Sequence, residues 1–193
     1  MSKAERRARL ADIAAADQAA DRLDAGQPIA VSTGPGWTLA LGDCIAGMRE
    51  MDDLSVDVTI TDPPYEAEVH GRGRRVRDPG GNKGHAKYRK CVEAPLPFAA
   101  ITEDERTSVS VEIARTTKRW ALVFCQVEAS QRWAQALVAS GLDYVRTMVW
   151  VKPDAQPQFT GDRPGVGYES IVVAHRPGRK RWNGGGRVGV FEF

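Results

Sequence analysis

The tetrapeptide Asp62-Pro63-Pro64-Tyr65 places a carboxylate, two imino acids and a phenol side by side. An amine conjugated to an aromatic ring is a poor nucleophile, because its lone pair is delocalised. A site that accepts hydrogen bonds from both of its N–H groups biases the nitrogen toward a tetrahedral shape and frees that pair for attack. Asp62 supplies one charge-assisted acceptor, and the Pro63 carbonyl can supply the second. Two consecutive prolines, with φ fixed and no N–H, hold that carbonyl outward instead of letting it join a sheet. Tyr65 offers a flat face for a base taken out of its stack, a contact worth about 1 to 3 kcal/mol.

The segment after the tetrapeptide, residues 66–97, holds His70, Arg72, Arg74, Arg75, Arg77, Lys83, His85, Lys87, Arg89 and Lys90 against few acids. Arg72, Arg74, Arg75, Arg77, Lys83, Lys87, Arg89 and Lys90 are the candidate DNA contacts, since cations beside a base-sized site can neutralise phosphates. The competing reading is a solvated basic loop. A second group, Arg176, Arg179, Lys180, Arg181 and Arg187, reads equally as an extended footprint or as solubilising charge.

These residues need a scaffold, and the pattern of the chain supplies one. Residues 1–27 read as a polar, amphipathic helix with Leu10, Ile13 and Ala14 at helical spacing, stopped by Gly26 and Pro28. Pro28 to Ser32 and Trp37 to Leu41 read as strands joined across Gly34-Pro35-Gly36. After Gly42-Asp43-Cys44 a helix is expected to Met51. Val56 to Thr61 is a short apolar-rich strand that delivers Asp62 at its carboxyl end, where open α/β sheets place their ligands. No periodicity is read from Glu66 to Pro97, and so long a loop is usually functional.

Order then resumes: a helix over Glu103 to Thr117, a strand at Trp120 to Phe124, a helix from Ala129 to Ser140, and strands at Tyr144 to Val151 and Glu169 to Ala174. That alternation predicts an α/β fold with a mainly parallel sheet and helices on both faces. Trp133 and Leu137, four residues apart, read as core, and His175 as structural. Gly184 to Gly189 satisfies G-x-G-x-x-G but precedes no helix, so the dinucleotide reading fails.

Bulk composition excludes several classes. A chain of 193 residues that is 42% hydrophobic and 27% charged suits one globular domain, expected over residues 28–193. Apolar runs are too short for a membrane span, and the N-terminus lacks a signal-peptide core, so a cytoplasmic protein is expected. Cys44, Cys91 and Cys125 form no CxxC pair, which argues against a disulfide framework or a metal site.

Val56 to Tyr65, read VDVTITDPPY, closely resembles the catalytic motif of DNA amino-methyltransferases, and DPPY resembles the adenine-specific members more than the cytosine-specific ones. Leu41-Gly42-Asp43-Cys44 looks like the cofactor motif that precedes DPPY in the permuted class. Val149 to Pro153 and Gly167 to Ile171 match family patterns for late strands. The resemblance spans Trp37 to Arg176 and implies a Rossmann-like fold, S-adenosylmethionine as methyl donor, duplex DNA as substrate and no metal. It implies Asp62, Pro63, Pro64 and Tyr65 as the catalytic set, and Asp43, Cys44 and Asp62 as cofactor contacts.

One departure is large. The permuted enzymes carry a D-P-F-x-G-x-G strand and loop for the cofactor, and this sequence has none. That segment also provides the strand beside the catalytic one, so a partial fold with an open sheet is expected. Three explanations stand: a chain cut short, one completed by a second chain, or a degenerate protein. Val188 to Phe193 reads as an unfinished strand, which favours the first. Cytosine methylation and a non-catalytic DNA-binding subunit remain the alternative functions.

Overall fold

The computed structural model describes residues 30–67, 74–77, 91–94, 99–155, 162 and 164–192. The expected helix over residues 1–27 lies outside them. The chain divides into two compact units, residues 1–51 and 52–193.

In the first unit, β1 (Ala30–Gly34) and β2 (Trp37–Leu41) pair antiparallel around a tight turn in which Gly36 takes φ +79. That conformation lies in the left-handed region where glycine carries no Cβ penalty. The short helix α1 (Cys44–Arg49) follows, its N-terminus capped by Asp43.

The second unit is built on a five-stranded sheet of β3 (Val56–Thr61), β6 (Thr117–Cys125), β7 (Asp143–Val151), β8 (Tyr168–His175) and β9 (Val190–Glu192). Their spatial order is β3-β6-β8-β7-β9. Between β3 and β6 lie β4 (Arg74–Arg77), β5 (Cys91–Ala94) and helix α2 (Glu103–Thr116). A 3-10 turn (Val127–Ala129) and helix α3 (Ser130–Ala139) link β6 to β7.

The α/β class stands, but the sheet is mixed and not mainly parallel. β3 runs parallel to β6 and β9 to β7, while β8 is antiparallel to both β6 and β7. The reason is local. A helical crossover through α3 keeps β7 parallel to β6, but among the described residues no helix separates β7 from β8, so the chain folds straight back and β8 slots between the two.

Helix coverage also differs from expectation. Along β6, Trp120, Leu122 and Phe124 share one face with Met148, Ile171 and Val173. The alternate residues Ala121, Val123 and Cys125, with Val172 and Ala174 on β8, are buried on the other. That second face receives α3, which packs on β7 and β8 and on α2, so among the described residues both long helices serve the same face. Trp133 and Leu137 of α3 are buried there, as expected. The first face is covered instead by the glycine-rich segment before β9, beneath which lies a cavity of about 490 Å³ walled by Trp120, Met148, Trp182 and Phe191.

His175 is also structural. It is buried and stands edge-on to Trp120 with ring centroids 4.3 Å apart. β3 is the end strand of this sheet, with Val58 and Ile60 exposed, which agrees with the open sheet expected. No described helix is long and apolar enough to cross a membrane.

Truncating the fully buried Leu137 to Ala should cost about 2 to 5 kcal/mol in urea unfolding, through lost transfer energy plus the cavity left behind. The same change at the exposed Val111 on α2 should stay within about 0.5 kcal/mol. Equal effects at the two positions would contradict the core as described.

Candidate active site

β3 ends at Thr61, which stands beside Val123 of β6 in the parallel register, and the ladder stops where Pro63 and Pro64 lack N–H donors. The pairing is reinforced by a hydrogen bond of 2.6 Å between the hydroxyls of Thr59 and Thr117. The tetrapeptide therefore emerges at the carboxyl ends of two adjacent parallel strands. Asp62 and Pro64 are exposed, Pro63 and Tyr65 half-buried, and the next residue, Glu66, is buried.

Two residues that the sequence had placed only in late strands complete the surroundings. Glu169, at the start of β8, sits opposite Trp150 of β7 in the register. It forms an ion pair with Lys152, whose ammonium also lies 4.6 Å from the Trp150 ring centroid. The Tyr65 hydroxyl donates to the carboxylates of Glu169 and Asp62. Asp62, Tyr65, Glu169 and Lys152 thus form one hydrogen-bonded and charged cluster assembled from three strand ends.

Its electrostatics follow from that crowding. Burial lifts the Asp62 carboxyl above its usual range and the Glu169 charge adds to the shift, while the Tyr65 hydrogen bond and Lys152 oppose it. Tyr65 is held far above an ordinary phenol, first by burial and then by the charges of Asp62 and Glu169. Cys125, at the end of β6, is pushed up to about 12 by burial, then by Glu66 and Glu169. It is a packed thiol, unsuited to nucleophilic work at neutral pH.

Behind Tyr65 the chain is fastened to α2. The Ile101 N–H donates to the Tyr65 carbonyl at 3.2 Å, and Arg106 Nη2 donates to Glu66 Oε1 at 2.8 Å. Sequence reading had passed over Arg106. Its signal was available: Arg106, Val109, Ser110 and Ile113 follow the spacing of a buried helical stripe, so a cation on that stripe needs a buried partner.

The remaining candidates are dispersed. Asp43 is a helix cap, its Oδ1 accepting the Ala46 N–H at 2.7 Å, and Cys44 is the exposed first residue of α1. Both belong to the first unit, whereas Asp62 belongs to the second. Arg74, Arg75 and Arg77 lie on β4, which pairs antiparallel with β5, so this stretch of the basic segment is a strand pair where a loop was expected. Pairing opposite Val92 gives Val76 a partner that a search for local periodicity alone does not detect. Arg72, Lys83, Lys87, Arg89 and Lys90 lie outside the described residues. Among those described, no group of three or more His, Cys, Asp or Glu has the geometry to hold a metal ion.

No family model matches the chain, and no curated protein matches it. Similarity appears only among solved structures. M1.HpyAVI is 15% identical with a TM-score of 0.47, over 78% of this chain and 60% of that one. Its complex with SAM is 18% identical with a TM-score of 0.40, over 67% and 48%. TTHA0409 from Thermus thermophilus, carrying the description DNA modification methylase, is 14% identical with a TM-score of 0.48, over 79% and 65%. The chain spans less than two thirds of the length of each. At such identity and superposition these are likenesses of outline, and the chemistry has to come from this chain's own residues.

The charge of Glu169 raises the Asp62 pKa and that of Lys152 lowers it. Glu169→Gln should therefore move the Asp62 titration down toward the ordinary carboxylate range, and Lys152→Met should move it further up. Carboxyl carbon shifts followed by NMR against pH read both. Movement in one common direction would dismantle the cluster.

Proposed function

We propose that this chain is the base-handling portion of a cytoplasmic, S-adenosylmethionine-dependent DNA methyltransferase that acts on the exocyclic amine of adenine in duplex DNA. The observation carrying the reading is the pairing of an exposed Asp62 with a half-buried Tyr65 at the open carboxyl end of β3.

S-adenosylmethionine supplies an electrophilic methyl carbon on a sulfonium. The chain's residues work on the other reactant. Tyr65 receives the extruded base on its ring, the Asp62 carboxylate accepts one amine N–H, and the Pro63 carbonyl accepts the other. The nitrogen lone pair is thereby released from the ring. This function requires ionised Asp62, so the raised pKa places the acidic limit of base capture above the usual carboxylate range. Holding both reactants in line can lower the barrier by about 7 to 11 kcal/mol.

Asp43 and Cys44 fit the methyl donor only in part. One Asp43 oxygen is committed to capping α1, which leaves Oδ2 and the exposed first helical turn for an adenosyl group. That partial fit favours a second reading, a DNA-binding subunit whose donor site is completed by another chain, for which the edge of β3 offers the place.

Replacing Asp62 with Ala should lower methyl incorporation from tritiated S-adenosylmethionine into adenine-containing duplex by about 100- to 1000-fold. Undiminished incorporation refutes the assignment, and incorporation that tracks cytosine content transfers it to the cytosine amine. For the basic segment, Arg74→Ala, Arg75→Ala and Arg77→Ala together should reduce the slope of log affinity against log salt by about 0.9 for each phosphate no longer neutralised. An unchanged slope in fluorescence anisotropy would assign these arginines to solvation.

A further inference from the structure

The ion pair directly behind the tetrapeptide is an unusual investment for a protein of this size. Arg106 is 1% exposed and Glu66 3%, and each leaves one buried atom without a protein partner, Arg106 Nε and Glu66 Oε2. Taking both charges out of water is expensive, and one hydrogen bond of 2.8 Å between them is a poor return compared with a bidentate fork. Apolar side chains of similar size would fill the same space without that penalty. Stability alone does not explain the pair.

What the pair does uniquely is define direction. Arg106 is held on three sides. Its own helix is fixed by a capping box in which Thr102 and Glu105 satisfy each other's N–H groups. Glu103 binds its Nη1 from the preceding turn. The ring of Trp133 on α3 lies 5.7 Å from its guanidinium carbon. A guanidinium fixed in this way presents Nη2 to one place, and Glu66 occupies it. Glu66 is covalently next to Tyr65, and the Tyr65 carbonyl is tied to the Ile101 N–H just before α2. The chain that leaves at Glu66 and returns at residue 99 is thus closed at its stem by two polar contacts, both adjoining Tyr65.

We infer that Arg106 and Glu66 are positioning residues: their buried ion pair sets the Tyr65 backbone, and with it the ring that receives the base, independently of the stability of the core. The placement of Tyr65 is a statement about this chain's geometry, and only its use in holding a base rests on the methyltransferase reading.

The test compares wild type with Glu66→Met/Arg106→Met, an apolar pair of similar length, and with Arg106→Lys, which keeps the charge and loses the fork. Both variants are expected to unfold within a few degrees of wild type. Amide exchange at Ile101 should become at least tenfold faster in the double variant, and faster to a smaller degree in Arg106→Lys, with Leu137 and Val172 amides unchanged. Unaltered Ile101 exchange in a folded variant overturns the proposal, and so does a uniform acceleration that includes the core amides. If the double variant does not fold, Arg106→Lys decides by the same criterion.

A second measurement uses duplex DNA with one mispaired 2-aminopurine, whose fluorescence rises when it leaves the stack. The double variant should lose that rise while keeping wild-type affinity for unmodified duplex, a split that loss of general structure would not produce. Retention of the full rise in the double variant also overturns the proposal. Absence of any rise with wild type instead counts against the methyltransferase reading, and leaves the ion pair to be judged on Ile101.

Discussion

A parallel ladder can continue only while each strand offers an N–H at every second position, and in β3 that supply ends at Thr61 because Pro63 and Pro64 have none to give. The site depends on this termination. With the ladder ended, the chain is released into the crevice at the ends of β3 and β6, and the first side chain past the stop is a carboxylate. β8 starts at the same level, since its residue Ser170 stands opposite Cys125, so Glu169 arrives within reach of Asp62 and Tyr65. Lys152 follows because β7 ends where β8 begins. Once the prolines halt one strand, sheet register brings in the other groups.

The local part of this arrangement was legible in the sequence. Val56 to Thr61 was bounded correctly by its apolar character and the prolines behind it, and α2 by Thr102 and the acidic first turn. Trp133 and Leu137 were recognised as core because helical spacing is a short-range signal. The mixed sheet was not legible, because strand direction is decided by what a connection contains, and the stretch between β7 and β8 gives no helical or hairpin signature. β4 and β5 were missed for a related reason: they are paired across a long excursion, and their residues alternate cation with apolar only when seen against a partner. Glu169, Lys152, Glu66 and Arg106 were invisible as a group because each pairing joins residues far apart in the chain.

Asp43 shows how one residue can satisfy two readings. An aspartate before a helix is a good cap, and the α1 N–H of Ala46 takes it up. The same helix start is a place where partial positive charge accumulates, although α1 is too short for that to have weight by itself. The acceptor side of the proposed reaction is therefore much better specified by described residues than the donor side. The ionisation behaviour of Asp62, governed by burial and by Glu169, Tyr65 and Lys152 together, belongs wholly to the second unit.

The outermost position of β3 has a colloidal consequence. Its sequence, VDVTIT, is rich in β-branched residues, holds a single charge, and has Val58 and Ile60 exposed on one face. Edge strands of that kind template the addition of strands from neighbouring molecules, since unpaired backbone groups and apolar side chains face outward together. Crowded protein would self-associate along the very strand that ends in Asp62. Catalytic competence and resistance to aggregation are then two readings of one edge, and whatever segment caps it in the working protein protects both.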